Sequence, residues 1–331
     1  MLSQLPPYRP PRWLRSGHLQ TVYPALFRSV EGVSYRRERL DLPDGDVLDL
    51  DWSEPAGRPG DRLVIISHGL EGSSERAYVR GMVRAFTQGG WDALAWNLRG
   101  CGGTPNRLFQ TYHSGATGDL DAVIEHALAR GYPTVALVGF SLGGNLTLKY
   151  LGERGKDAPA RVVGAAAFSV PCDLASSAEQ LARPENAMYM RRFMLSLNAK
   201  LADKQARFPD QLPGLDVSTL KTFVDFDGAY TAPAHGFSSA EDYWRRASSR
   251  PFLPAIRRPT LLVNAQDDPF LAPPCFPIDE ARANPDLHLL MPRWGGHVGF
   301  MAARREDPYW SERVATAFLT RLADGRIRQA A

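Results

Sequence analysis

Apolar residues in this chain gather into short runs, and their spacing predicts the elements. Residues 37–42 and 47–52 alternate apolar and polar around Pro43-Asp44-Gly45-Asp46, where the Asp-Gly pair signals a turn. An opening antiparallel hairpin follows. Leu63-Val64-Ile65-Ile66 is instead a continuous apolar run ending at Ser67-His68-Gly69, the pattern of a strand buried on both faces. Further along come a helix around 75–88, a strand near 91–96, a helix around 118–130, a strand at 134–138, a helix from 142 and an apolar run at 162–168. Such alternation predicts an α/β fold built on a mostly parallel, doubly wound sheet.

Residues 172–250 break this rhythm and become rich in Ala, Met, Arg and aromatic residues at helical spacing. They read as an inserted helical cap. The sheet pattern resumes at Thr260-Leu261-Leu262-Val263 and Leu287-His288-Leu289-Leu290-Met291, before an amphipathic helix near 308–322. The expected division is a core of residues 1–171 and 251–331, with an N-terminal extension of about 1–35 and a Pro/Gly-rich linker at 55–60, and a cap of residues 172–250. No internal repeat or low-complexity tract is evident.

Composition narrows the class. With 44% hydrophobic and 23% charged residues, the chain is neither disordered nor collagen-like. Its 39 basic and 36 acidic residues leave a net charge of +3, too small to favour a nucleic-acid partner. Arg9, Arg12 and Arg15 raise the idea of a targeting peptide or an anionic membrane contact. No apolar stretch follows them, however, and Pro6, Pro7, Pro10 and Pro11 interrupt the segment. Nowhere do eighteen apolar residues run together, so the expectation is a soluble, unprocessed protein without an integral membrane segment. Cys101, Cys172 and Cys275 are widely spaced without a CxxC pair, which fits a reducing cytoplasm and offers no cysteine metal site.

The chemistry centres on Gly139-Phe140-Ser141-Leu142-Gly143. A GxSxG pattern alone would arise by chance in roughly a tenth of chains this long. Its setting makes it specific. Val135-Ala136-Leu137-Val138 reads as a strand directly before it, and Asn145 to Leu151 as a helix directly after. That is the setting expected of a nucleophile elbow, where the glycines let backbone segments approach and Ser141 is exposed at the end of its strand. Otherwise Ser141 would simply cap a helix.

A serine hydroxyl needs a base in hydrogen-bond reach and a carboxylate to orient that base. Chain order of Ser, acid, His leaves His235, His288 and His297 downstream. His235 falls in the cap and His288 inside a strand, whereas His297 sits in a glycine-flanked loop after the last strand. His297 is therefore the expected base. His18, His68, His113 and His126 read as structural or pocket-lining residues. Asp268, in the loop after Thr260–Val263, is the expected acid. Asp267 beside it and Asp173 after the preceding strand are the alternatives. The backbone N–H groups of Leu142 and Leu70 are the expected oxyanion donors. Met188, Tyr189, Met190, Phe193 and Met194 are candidates for an acyl pocket, or for the core of the cap.

The N-terminal Gly17-His18-Leu19-Gln20-Thr21, the loop His68 to Ser74, Asn97 to Gly102, Tyr112 to Gly115, Gly139 to Asn145, Phe226-Asp227 to Pro233, Asp267 to Phe270 and Gly295 to Phe300 together resemble the blocks of the YheT-like hydrolases. That branch of the α/β-hydrolase superfamily is related to the ABHD-type lipid hydrolases. The resemblance spans nearly the whole chain and implies an α/β-hydrolase fold and carboxylic-ester hydrolysis by Ser141, Asp268 and His297. It departs from membrane-associated relatives in showing no apolar N-terminal anchor. The expected protein is a cytoplasmic serine esterase acting through an acyl-enzyme on short- to medium-chain acyl or lipid-like esters, with no metal and no cofactor. The rivals are thioester hydrolysis or acyl transfer on the same residues, and a non-catalytic ligand binder on this fold. Nothing in the pattern specifies an oligomeric state.

Overall fold

The computed structural model describes residues 5–55, 60–302 and 308–325. Eight strands form one sheet: β1 (Arg36–Asp41), β2 (Val47–Ser53), β3 (Arg62–Ser67), β4 (Asp92–Asn97), β5 (Thr134–Phe140), β6 (Val162–Phe168), β7 (Thr260–Val263) and β8 (Leu287–Leu290). Their spatial order is β1-β2-β4-β3-β5-β6-β7-β8. β2 runs antiparallel to both neighbours, β1 and β4, and every other pairing is parallel. The hairpin expected between β1 and β2 is present, and Gly45 takes the left-handed turn position at φ +87°.

Central strands are apolar along their middles because both faces are covered. In β3, Leu63 and Ile65 enter one cluster while Val64 and Ile66 enter the other, and β5 divides its residues in the same way. Helices α3 (Thr117–Ala129) and α4 (Leu142–Arg154) close the first face. Helices α2 (Ala77–Gln88) and α11 (Trp310–Ala323) close the second. Each fully buried Val, Leu or Ile contributes roughly 1.5–3 kcal/mol, so this sandwich is a stiff frame for loops at its edge.

Two helices differ from the sequence-based expectation. α1 (Gly17–Phe27) lies in what reads as an irregular extension, since Pro24 inside it obscures the helical pattern. The short α10 (Ile278–Ala283) precedes β8. The linker expected at 55–60 falls mostly on residues 56–59, outside the described residues.

Between β6 and β7 the chain forms α5 (Leu174–Leu181), α6 (Ala187–Arg207), α7 (Phe223–Phe226), α8 (Ala232–Ala234) and α9 (Ala240–Ala247). A π-turn over Asp227–Thr231 joins α7 to α8. This insertion has an apolar cluster of its own, including Leu197, Leu201, Phe226 and Trp244, which also takes in Phe270 from beyond β7.

Candidate active site

Loops at the C-terminal ends of β3, β5, β7 and β8 converge, as open α/β sheets favour for ligand sites. After β5 the chain turns abruptly into α4. Ser141 is held there at φ +53°, ψ −120°, a strained conformation for a residue with a side chain. The close packing explains the glycines. A Cβ on Gly139 would lie 2.4 Å from the Gly143 carbonyl oxygen, and one on Gly143 would lie 2.3 Å from that of Ser67. The positive end of α4 therefore stands directly behind the serine.

Ser141, His297 and Asp268 form one chain of hydrogen bonds. His297 Nε2 lies 2.9 Å from Ser141 Oγ, and His297 Nδ1 lies 3.1 Å and 3.0 Å from the two carboxylate oxygens of Asp268. A carboxylate only accepts, so Nδ1 carries the proton and the Nε2 lone pair faces the serine hydroxyl. The Asp268 side chain is fully buried and its Oδ1 also accepts the Phe270 N–H at 2.9 Å. The Phe270 ring covers the imidazole at a centroid distance of 4.1 Å.

Asp267 is turned to another task. Its Oδ1 accepts the Gly296 N–H at 2.9 Å, which anchors the loop carrying His297. Burial, aided by the neighbouring Asp268 charge, raises its carboxyl above the ordinary range against the pull of the Gly296 bond. Asp173, the outlying alternative, caps α5 by accepting the Ser176 N–H at 2.9 Å.

Other histidines have structural partners. His68 Nδ1–H donates to the Gly69 carbonyl at 2.8 Å, while Nε2 accepts the Leu98 N–H at 3.1 Å. Both bonds fit the neutral ring, and burial pushes its pKa down to about 4. His126 pairs with Glu38, and His18 Nδ1 lies 3.0 Å from Tyr189 Oη. His113 packs on His235, and burial holds the two rings down to about 3 and about 4.

The profile of the alpha/beta hydrolase fold family matches residues 62–303. The chain belongs to that family. YheT of Escherichia coli, named as a candidate esterase, is 36% identical over 317 residues, covering 94% of this chain and 92% of the relative. Phospholipase ABHD3 of Mus musculus is 31% identical over 306 residues, covering 89% and 73%. Among solved structures, the Pyrococcus furiosus esterase Pf2001 has a TM-score of 0.60 at 18% identity, covering 90% of this chain and 96% of that one. This last likeness concerns the fold alone.

In this hydrolase a cavity opens beside Ser141 and His297 and runs beneath the insertion, with about 980 Å³ of empty space, part of it open to solvent. Leu174, Leu197, Phe193, Phe223 and Tyr230 contribute to its wall. Of the five candidates for an acyl pocket or for the core of the cap, Phe193 alone is among those lining it. Met188 is 62% exposed, whereas Tyr189, Met190 and Met194 are buried in the insertion's own cluster. Among the described residues no helix is long and apolar enough to cross a membrane.

Three contributors to the site escape the sequence reading. Thr21 on α1 accepts the His297 backbone N–H at 2.8 Å. Ser169 Oγ accepts that of Val298 at 2.8 Å, supporting the strained φ of +62° there. Phe270 packs on the imidazole. The Gly17–Thr21 block is the one signal that points at α1, and it carries no hint of what it touches.

Proposed function

We propose that this hydrolase cleaves carboxylic esters through an acyl-enzyme on Ser141. The observation that carries this reading is the 2.9 Å contact of His297 Nε2 with Ser141 Oγ while Nδ1 faces Asp268. His297 takes the hydroxyl proton as Oγ attacks the ester carbonyl, and Asp268 holds the imidazole in the required tautomer and stabilises its charged form. The tetrahedral oxyanion is received by the backbone N–H groups of Leu142, at the positive end of α4, and Leu70. Collapse expels the alcohol, which takes the proton from His297. Water, deprotonated by the same histidine, then attacks the acyl carbon and frees Ser141.

The insertion over 172–250 acts as a cap whose apolar wall receives an acyl chain, favouring short- to medium-chain or lipid-like esters. A relative named phospholipase supports the lipid-like end of that range. A p-nitrophenyl ester series of graded chain length, with Ser141→Ala as control, tests the reading. Loss of about 10⁴–10⁶ in kcat is expected for the variant. Full activity in Ser141→Ala would sink the mechanism.

A further inference from the structure

One carboxylate beside the nucleophile is bound to both halves of the molecule. Glu71 follows Leu70 in the loop after β3, and its φ of +53° lies in the left-handed region that residues with side chains rarely adopt. Its backbone is clamped: the N–H donates to Tyr112 Oη at 3.0 Å, and the carbonyl accepts from Arg76 Nη2 at 2.8 Å. Its side chain, 6% exposed, is clamped as well. Tyr112 Oη donates to Oε1 at 2.6 Å, Lys200 Nζ donates to the same oxygen at 2.8 Å, and Ser196 Oγ donates to Oε2.

Ser196 and Lys200 belong to the insertion. They are one helical turn apart on α6, and Lys204 continues their stripe by donating to Asn106 Oδ1 at 2.7 Å. This row docks α6 onto loops at the sheet edge, and its Glu71 contact reaches the loop beside Ser141. A Cβ on Gly69 would sit 3.1 Å from the Ser141 Cβ, so the backbone that leads into Leu70 lies against the nucleophile. Leu70 packs against both the sheet cluster and the insertion cluster.

Burial opposes ionisation of Glu71, but the Lys200 charge and the donated bonds outweigh it and hold the carboxyl below its ordinary range. Partial burial opposes the charge of Lys200, but the Glu71 carboxylate and the Cys101 sulfur, which both accept from its Nζ, hold it above the ordinary lysine range. Only the Glu71 end of this pair is buried, so losing Lys200 leaves a buried carboxylate short of a partner, while the intact pair adds little stability over an apolar one. Its geometry makes sense as a device for fixing backbone direction.

We propose that Glu71 is a positioning residue: its clamped left-handed backbone aims the Leu70 N–H at the substrate oxyanion, and its bonds to Ser196 and Lys200 make that aim depend on the docking of the insertion. The proposal rests on the acyl-enzyme reading of Ser141 and extends it.

The test uses the full chain, steady-state kinetics on p-nitrophenyl butyrate, and inhibition by an alkyl trifluoromethyl ketone. Addition of Ser141 Oγ to that ketone, with the hydroxyl proton passing to His297, creates an oxyanion in the same place as the reaction does. Glu71→Gln is expected to lower kcat about 10- to 100-fold with KM within about threefold, and to weaken the ketone by the same factor as kcat/KM. Lys200→Met should act in the same direction, the double variant should be far less than additive, and Lys200→Arg should recover most of the activity. Should Glu71→Gln not fold, Lys200→Met carries the same comparison. Wild-type kcat in either folded variant, or a lower kcat with undiminished ketone affinity, overturns the positioning role while an inactive Ser141→Ala leaves the nucleophile standing. An active Ser141→Ala overturns both together.

Discussion

Thr21 and His297 are 276 residues apart, and the Thr21 hydroxyl accepts the His297 backbone N–H at 2.8 Å while donating to the Gly17 carbonyl at 2.7 Å. α1 thus braces the loop that carries the imidazole. Replacing this acceptor by a methyl group leaves a partly buried N–H unsatisfied, at a cost of about 1–3 kcal/mol. Thr21→Val should lower kcat/KM about tenfold in ester hydrolysis while Ser141 still reacts with a fluorophosphonate. Unchanged kinetics would show that the loop holds its place without α1.

Adjacent carboxylates should behave very differently. Asp268→Asn removes the negative charge and puts an NH2 donor where one of the two oxygens facing Nδ1 stands, so the Nδ1–H tautomer is no longer enforced and kcat is expected to fall by about 10³–10⁴. Asp267→Asn keeps an oxygen for the Gly296 N–H and should stay within about tenfold of the parent. Measured rates in the reverse order would make Asp267 the orienting acid.

The elbow glycine leaves no room for a side chain. A Cβ at Gly143 would also lie 2.5 Å from the His68 carbonyl oxygen, and these contacts are to backbone that cannot swing aside. Gly143→Ala should destabilise the protein by about 2–4 kcal/mol or prevent folding. Gly118→Ala, on the open surface of α3 with nothing within 4 Å of the added carbon, should instead stabilise by up to about 1 kcal/mol. Urea unfolding of both variants makes the comparison, and equal midpoints would refute it.

Acid should weaken the fold in a definite window. His68 binds its proton at pH about 4 when folded and near its ordinary 6.5 when unfolded. The unfolded chain therefore takes up protons first, and the stability present above pH 6.5 declines as pH falls towards 4. For His68 alone the loss is about 2 kcal/mol by pH 5. His113 and His235 act in the same sense. Asp227 opposes them: burial raises its carboxyl to about 6, against bonds from Thr231 and Trp244, so its contribution is fully favourable below 3.8 and is lost as pH rises through 6. Unfolding free energy should fall from pH 7 to pH 5, and fall more steeply in Asp227→Asn. A flat profile would contradict both assignments.

Much of this was legible beforehand because it depends on short-range pattern. The continuous apolar run of β3 reflects burial on both faces, and the glycines of Gly139 to Gly143 reflect a turn in which neighbouring backbone leaves no space. Chain order then selects His297 and the Asp267-Asp268 pair. Pro24 and the weak apolar pattern hid α1, and helical spacing alone could not tell that Phe193, rather than Met188, Met190 or Met194, faces the cavity, since both its wall and the insertion's cluster are apolar.

By itself, then, the amino-acid sequence determined the layered α/β sheet, the strained serine and the loops that bring a histidine and a carboxylate to it, because periodicity and glycine placement act over a few residues. The tertiary structure alone decided which neighbouring aspartate turns to the imidazole, that α1 supports it, and that Glu71 ties the loop beside Ser141 to α6. Those choices depend on side-chain direction across separations of 29, 276 and 129 residues, where no local pattern records the partner.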